Sequence, residues 1–163
     1  MLIGISGFGT RFDDQESGII TLLRRAEQIG IETRYYCWND AIDLRNFEDI
    51  SLVGHSYGGT TCINLANDYP GQIEHMFLPD PVYRRWQHVP GVVTRGTLYV
   101  SGNVKNLYVW RQKQSYLRAS IIRPMSPKTE FHFDRLENAK HTDMDKLPHL
   151  YTTVLKELQC VDK

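Results

Sequence analysis

The stretch Ser51–Ala66, SLVGHSYGGTTCINLA, places a serine between glycines where an apolar run meets a helix-like segment. The short run Ile50–Val53 predicts a strand buried on both faces, and the spacing of apolar residues in Tyr57–Asn67 predicts a helix. Between them, GHSYG fits the pattern G-x-S-x-G of a nucleophile elbow, a sharp turn that exposes a serine. We therefore predict that Ser56 is a nucleophile.

The elbow pattern also explains the glycines on either side of the serine. We expect that a Cβ atom at Gly54 or Gly58 would collide with the neighbouring strand or helix, so that only glycine fits at both positions.

A serine nucleophile requires a base, and histidine is the usual one. His141, in NAKHTDMDKL, follows the last predicted strand and precedes the last helix, so it lies in a loop from which it can reach Ser56. The other histidines are worse placed. We expect the His55 side chain to point away from the site. His75 and His132 are expected to lie within strands. We expect His88 to lie in an irregular loop and His149 on the last helix.

The base requires a carboxylate that fixes its tautomer. Asp80 ends a predicted strand and is held between Pro79 and Pro81, which stiffen the backbone. Asp134 and Asp143 remain alternatives, although we expect Asp143 to cap the final helix. The position after the next predicted strand, at residues 101–103, reads SGN and offers no acid.

Two backbone donors are needed to stabilise the oxyanion that forms when a serine attacks a carbonyl group. We predict that they are the N–H of Tyr57, next to the nucleophile, and the N–H of Phe8 in the loop GFG after the first strand. The chain order Ser56, Asp80, His141 is the order expected for an elbow of this kind.

The rest of the chain alternates between strand and helix patterns. A capping box formed by Asp13 and Glu16 predicts the start of a helix that Gly30 ends. A last strand is predicted within Thr129–Leu136, with Ala119–Ile122 as the competing segment. The other predicted strands are Leu2–Ser6, Glu32–Trp38, Ile73–Leu78 and Thr97–Ser101, and Leu147–Leu158 is predicted as the last helix. This alternation predicts one α/β domain over residues 1–163, with a doubly wound, mostly parallel sheet of about six strands in three layers.

The composition narrows the classes of partner. Nineteen basic residues balance nineteen acidic ones, so nothing in the net charge favours nucleic acid or an anionic membrane. Three scattered cysteines without CxxC spacing argue against a disulfide framework and a zinc site. Without a basic leader or a long apolar run, the chain is expected to be cytoplasmic and to have no membrane span. We also expect it to use no metal and no cofactor.

The sequence resembles a very small α/β-hydrolase over nearly its whole length. GISGFGTRF resembles the family's oxyanion loop, with Ser6 where His is common, VGHSYGG resembles its elbow, and NAKHTDMD resembles its histidine loop. The family's usual first strands are missing, and the acid follows the strand after the elbow helix, as in some lipases.

The resemblance implies a serine esterase that hydrolyses small-molecule esters through an acyl-enzyme. A thioesterase, a lipase-type acyl hydrolase or a binding module on a hydrolase fold are alternatives, and the oligomeric state is left open. We expect a shallow site lined by Phe8, Tyr57 and Trp110. A segment containing Tyr83, Trp86 and Val89 is expected to overhang it, with basic residues at 84–85 and 111–114 near its mouth.

Overall fold

The computed structural model describes residues 1–8, 17–82, 96–113 and 120–160, and it describes residues 133–135 by their backbone alone. The strands are β1 Leu2–Ile5, β2 Thr33–Tyr36, β3 Ile50–Gly54, β4 Ile73–Pro79, β5 Thr97–Val100, β6 Val104–Gln112, β7 Ile121–Pro124 and β8 Glu130–Glu137. The α-helices are α1 Gly18–Gln28, α2 Tyr57–Asp68 and α3 Pro148–Gln159, and short 3₁₀ helices span Leu44–Asn46 and His141–Lys146.

Six of the strands form one parallel sheet in the order β2-β1-β3-β4-β6-β8. The predicted α/β fold with a mostly parallel sheet is therefore confirmed. The chain adds β2 on one side of β1 and every later strand of this sheet on the other side. The direction reverses between β1 and β3, and in open α/β sheets ligands bind at the carboxyl ends of the strands beside such a reversal.

Helices cover both faces of the sheet. Alternate side chains of each strand point to opposite faces, so neighbouring residues such as Leu52 and Val53 belong to different core clusters. On one face α1 and α3 pack against β-strand residues that include Phe77 and Trp110. On the other face lie α2 and a separate two-stranded parallel sheet formed by β5 and β7.

The sequence patterns miss the strand β6. Its pattern is mixed, because the charged Lys105 interrupts it, yet Leu107, Tyr108, Val109 and Trp110 are all buried. Thr97–Ser101, which was expected to supply this strand, forms β5 in the separate sheet instead. The two segments that competed for the last strand both form strands, β7 in the small sheet and β8 at the edge of the large one.

The start of α1 differs from the capping-box prediction. The N-cap of α1 is Ser17, while Asp13 and Glu16 lie outside the described residues. Within the part of the chain that is described, no helix is both long and apolar enough to cross a bilayer.

His75 generates a prediction about stability and pH. Its ring is buried on β4, with centroids 5.7 Å from the ring of Phe77 and 6.2 Å from that of Tyr108. Burial lowers the pKa of His75 below its ordinary value of 6.5. Between the lowered pKa and 6.5 the unfolded chain binds more protons than the folded one, so stability should fall as the pH drops through this window.

We expect His75→Phe to lose less thermal stability than the wild type when the pH is lowered from 7.5 to 5, because the variant has no imidazole to protonate. Melting temperatures followed by circular dichroism at both pH values check this. An equal drop for the two proteins would show that other groups control acid stability.

Candidate active site

Ser56 lies at the turn between β3 and α2, where it is the N-cap of the helix. Its backbone has φ 56° and ψ −121°, a sparsely populated conformation for a residue with a side chain. A strained backbone conformation of this kind persists only when hydrogen bonds and packing from surrounding residues hold it in place. Here the N–H groups of Gly59 and Val82 both donate to the carbonyl oxygen of Ser56, at 3.1 Å each.

The two glycines of the elbow are required by the packing around this turn. A Cβ atom on Gly54 would lie 2.5 Å from the carbonyl oxygen of Gly58, and one on Gly58 would lie 2.2 Å from the carbonyl oxygen of Ile5. Both distances are far below van der Waals contact with backbone atoms that cannot rotate away. The close packing of β1, β3 and α2 at this point therefore depends on glycine at both positions.

Asp80 follows β4 and is fully buried. Its φ of 47° is left-handed, a region that Asp tolerates better than most residues. Strand β6 fixes it from two directions, because the Asp80 N–H donates to the carbonyl of Trp110 at 2.6 Å and Asp80 Oδ1 accepts from the N–H of Gln112 at 3.1 Å. The second carboxylate oxygen is left to face the site.

His141 begins the 3₁₀ helix that follows β8. Its Nδ1 is hydrogen-bonded to Asp80 Oδ2, and its Nε2 lies 2.8 Å from Ser56 Oγ. A carboxylate can only accept, so the hydrogen is on Nδ1. The neutral ring then presents an unprotonated Nε2, which accepts the hydrogen bond from the Ser56 hydroxyl.

The structure thus brings together the three residues that the sequence singles out as nucleophile, base and acid. Ser56 is 7% exposed and the His141 side chain is 13% exposed, so the hydroxyl and the imidazole are shielded from most water while Asp80 is completely enclosed. An imidazole held in this tautomer can take the proton of the hydroxyl as the oxygen forms a new bond. That all three act in a reaction remains a prediction.

The residues predicted to supply the oxyanion donors lie next to Ser56. Tyr57 is the first residue of α2, and N–H groups in the first turn of a helix have no acceptor within that helix. Phe8 follows Gly7, which approaches the nucleophile so closely that a Cβ on it would be 3.0 Å from Ser56 Cβ. The first turn of α2 and the loop after β1 therefore both border the serine, and the donor role of the two N–H groups remains a prediction.

His55 lies against the site, so the prediction that its side chain points away is wrong. Its ring centroid is 4.9 Å from that of His141, and its Nε2 is 2.9 Å from the His141 carbonyl oxygen. A carbonyl can only accept, so Nε2 carries the hydrogen and donates it. Burial, above all, lowers the pKa of His55 and so favours the neutral ring, in which the hydrogen of this bond lies on Nε2. His55 thus fixes the backbone of the predicted base.

Asp145 was not identified from the sequence, and it anchors the same 3₁₀ helix to α1. Its buried side chain accepts from the N–H of Ile19 at 3.3 Å, in the first turn of α1, where a negative charge is favourable. The same oxygen lies 3.8 Å from His55 Nδ1. Asp145 also packs closely against the start of α1, as shown by the 2.1 Å that would separate a Cβ on Gly18 from the Asp145 carbonyl oxygen. No sequence motif links these residues.

Other predictions for the site have different outcomes. Trp110 does not line the site, because it is completely buried in the core beside α1 and α3. Asp143 lies exposed in the 3₁₀ helix and does not cap α3, whose N-cap is Leu147. The Asp134 side chain is not described, and His88, Gln114 and the segment with Arg84, Arg85, Tyr83, Trp86 and Val89 lie outside the described residues.

Three of the remaining histidines lie in the secondary structure that the sequence predicts for them. His75 and His132 lie within strands and His149 lies on α3, as expected. Among the residues that the structure describes, no group of three His, Cys, Asp or Glu side chains is arranged to hold a metal ion.

The contact between His55 and His141 leads to a second prediction. His55→Phe removes the donor to the His141 carbonyl, and we expect a loss of about 1 to 3 kcal/mol in the free energy of unfolding. Displacement of the imidazole should also slow the reaction of Ser56 with a fluorophosphonate probe by about 10- to 100-fold. Urea unfolding and labelling rates measure the two effects.

Two further variants act as controls for His55→Phe. His55→Gln retains a donor and should recover part of the labelling rate. His149→Gln alters a half-buried histidine on α3, whose Nε2 lies 3.0 Å from Glu137 Oε1 on β8, and it should label at the wild-type rate. Labelling of His55→Phe at the wild-type rate would show that this hydrogen bond does not orient His141.

Comparisons with known proteins do not assign the chain to a family. Searches of protein families, of curated proteins and of solved structures each gave no significant match. Any function must therefore be inferred from the residues and geometry of the chain itself.

Proposed function

We propose that this protein is a serine hydrolase that cleaves carboxylic esters through an acyl-enzyme, with Ser56 as nucleophile, His141 as base and Asp80 as the acid that orients it. The observation that carries the proposal is the 2.8 Å hydrogen bond between Ser56 Oγ and His141 Nε2, with the opposite nitrogen of the ring bonded to a buried carboxylate. A serine hydroxyl alone is too weak a nucleophile at neutral pH, and this arrangement supplies the base that activates it.

In the first half of the reaction, Ser56 Oγ bonds to the carbonyl carbon of the ester while its proton moves to His141 Nε2. The carbonyl oxygen becomes negative and is stabilised by the N–H groups of Phe8 and Tyr57. The bond between the carbonyl carbon and the leaving oxygen then breaks. His141 gives its proton to that oxygen, so an alcohol leaves and the acyl group stays on Ser56.

In the second half, a water molecule takes the place of the alcohol. His141 removes one of its protons as the water oxygen attacks the acyl carbon, and the same proton returns to Ser56 Oγ when the acyl–serine bond breaks. The products are a carboxylic acid and the free enzyme. During both halves the carboxylate of Asp80 stabilises the transient imidazolium without taking its proton.

The fold supports this proposal as well. Ser56 and Phe8 follow β3 and β1, the two strands between which the direction of winding reverses, and Asp80 follows β4 next to β3. These positions agree with the doubly wound sheet of a minimal α/β-hydrolase, which the resemblance of the elbow and histidine loop implies. Backbone strain at both Ser56 and Asp80 adds a further argument, because strained residues cluster at functional sites.

The chemistry requires a small-molecule ester or thioester and no cofactor. Thioesters react by the same steps, with a thiol as the leaving group, so a thioesterase is the neighbouring alternative. A binding module on the same fold would keep the geometry without turnover, and labelling and kinetics distinguish it from an enzyme.

We expect Ser56→Ala to lower the hydrolysis of p-nitrophenyl acetate by at least about 10³-fold, because no other group can form the acyl-enzyme. Absorbance at 400 nm measures the p-nitrophenolate released, and mass spectrometry locates a fluorophosphonate on the labelled residue. Ser101→Ala, which changes a serine after β5, is the control and should keep full activity. Equal turnover by the wild type and Ser56→Ala would exclude Ser56 as the nucleophile.

Asp80→Asn tests the orienting carboxylate. The amide oxygen can still accept from the N–H of Gln112, which turns the NH₂ group toward His141 and forces the hydrogen of the ring onto Nε2. That nitrogen can then no longer take the serine proton, so we expect kcat to fall by roughly 10³- to 10⁴-fold.

The matched control for this variant is Asp143→Asn, two residues from His141, which should retain kcat within about twofold because surface substitutions have small effects. If Asp143→Asn were the variant that lost activity, the assignment of the acid would have to change. Circular dichroism confirms that both variants fold.

A further inference from the structure

Three aromatic rings form a cluster on one side of Ser56, and we call Phe8, Trp38 and Tyr57 the aromatic cluster. The ring centroids are 5.8 Å apart for Phe8 and Trp38, 6.0 Å for Phe8 and Tyr57, and 5.7 Å for Trp38 and Tyr57. The three residues follow β1, β2 and β3, and so lie at the carboxyl edge of the sheet, where its winding reverses.

The cluster faces solvent although burial would be favourable. Phe8 is 71% exposed, more than any other large hydrophobic side chain in the described ranges, while Trp38 and Tyr57 are half-buried. Exposed apolar side chains that form a contiguous group, rather than occurring singly, mark binding sites on soluble proteins. The position of the group next to a candidate nucleophile makes a small molecule the relevant ligand.

The cluster is also held in place before any ligand binds. The Thr61 hydroxyl lies 2.7 Å from the carbonyl oxygen of Trp38 and 3.1 Å from that of Tyr57, so α2 fixes the backbone of both residues. Tilted and edge-to-face contacts among the three rings limit their rotation further. A rigid aromatic surface binds with little loss of conformational freedom.

The side on which the cluster lies indicates which part of the substrate it contacts. In the proposed reaction His141 must protonate the leaving oxygen, so the leaving group lies beside the imidazole and Asp80, toward β4. The cluster lies on the other side of Ser56, toward β1 and β2. The carbonyl oxygen and the acyl group both project in that direction from the carbonyl carbon. The proposed oxyanion donors Phe8 and Tyr57 bind the oxygen through their backbone N–H groups, so the acyl group is the part of the substrate that can extend to the rings.

We propose that the aromatic cluster is the acyl-binding subsite and that it takes an acyl group ending in a flat aromatic ring, as in arylacetic esters. This inference rests on the proposed function and names its substrate class. Rings on the ligand stack against rings on the protein in offset or edge-to-face geometry, which a saturated ring of the same size cannot reproduce. Trp38, which has no part in the proposed chemistry, is the largest of the three rings.

The experiment compares p-nitrophenyl phenylacetate with p-nitrophenyl cyclohexylacetate, which share a leaving group and differ in the aromaticity of the acyl ring. The wild type should prefer the aromatic ester in kcat/KM by about three- to tenfold. Trp38→Leu should remove most of this preference, because it should lower kcat/KM for the aromatic ester more than for the saturated one. Trp38→Phe, which keeps a ring, should retain the preference in part.

Tyr99→Leu is the control, because Tyr99 is an exposed aromatic residue on β5, outside the cluster, and its loss should not change the ratio of the two esters. The inference fails if the wild type does not discriminate between the esters, or if Trp38→Leu lowers kcat/KM equally for both. In either case Ser56-dependent hydrolysis of both esters would leave the proposed function standing.

A binding measurement separates the two proposals if no ester is hydrolysed. Phenylacetamide and cyclohexylacetamide carry the same acyl groups on a poor leaving group, and calorimetric titration of the wild type measures their affinities directly. Tighter binding of phenylacetamide that Trp38→Leu abolishes would support the aromatic subsite while the proposed function failed. Equal binding of the two amides, or none, would overturn the subsite.

Discussion

The hydrogen bond from His141 Nδ1 to Asp80 is the interaction on which the candidate site depends. It places the proton of the ring on the side away from Ser56 and leaves Nε2 as an acceptor 2.8 Å from the serine oxygen. Asp80 can do this because β6 holds its backbone N–H and one carboxylate oxygen. Strand β6, which lies next to the edge strand β8, therefore determines the tautomer of a histidine that follows that edge strand in the chain.

The orientation of His141 is controlled at two points. Asp80 holds the ring, and His55 holds the backbone carbonyl of the same residue. Asp145 then ties the 3₁₀ helix to the start of α1, so the segment that carries His141 is connected to both the sheet and a helix. A ring bound at one end alone can still rotate about that bond, whereas fixing the backbone as well limits how far it can leave the serine.

Local patterns predict those parts of the structure that depend on neighbouring residues. The elbow around Ser56 requires glycines at fixed spacing, and α2 requires a helical stripe, so both could be identified from a short window. Strand β6 could not, because Lys105 breaks its pattern and its burial comes from strands and helices distant in the chain. Asp80 and His141 were found through their positions after strands, a rule of topology rather than of composition. His55 could have been found as well, since strand alternation puts it on the same face as Val53.

The packing of β1, β3 and α2 places the strained backbone of Ser56 next to the loop that carries the exposed Phe8. Because Gly58 lets α2 approach the backbone of Ile5, the turn that carries Ser56 is compressed and its φ is positive. The loop after β1 also lies against the serine, since a Cβ on Gly7 would be 3.0 Å from Ser56 Cβ, and the ring of the following Phe8 lies beside those of Trp38 and Tyr57. A looser elbow would relieve the strain, but it would also separate the nucleophile from the aromatic cluster and from the loop that carries the proposed oxyanion donor. The strain at the turn thus accompanies the juxtaposition of the Ser56 hydroxyl, the two proposed oxyanion donors and an apolar surface, and the proposed acyl transfer requires this juxtaposition.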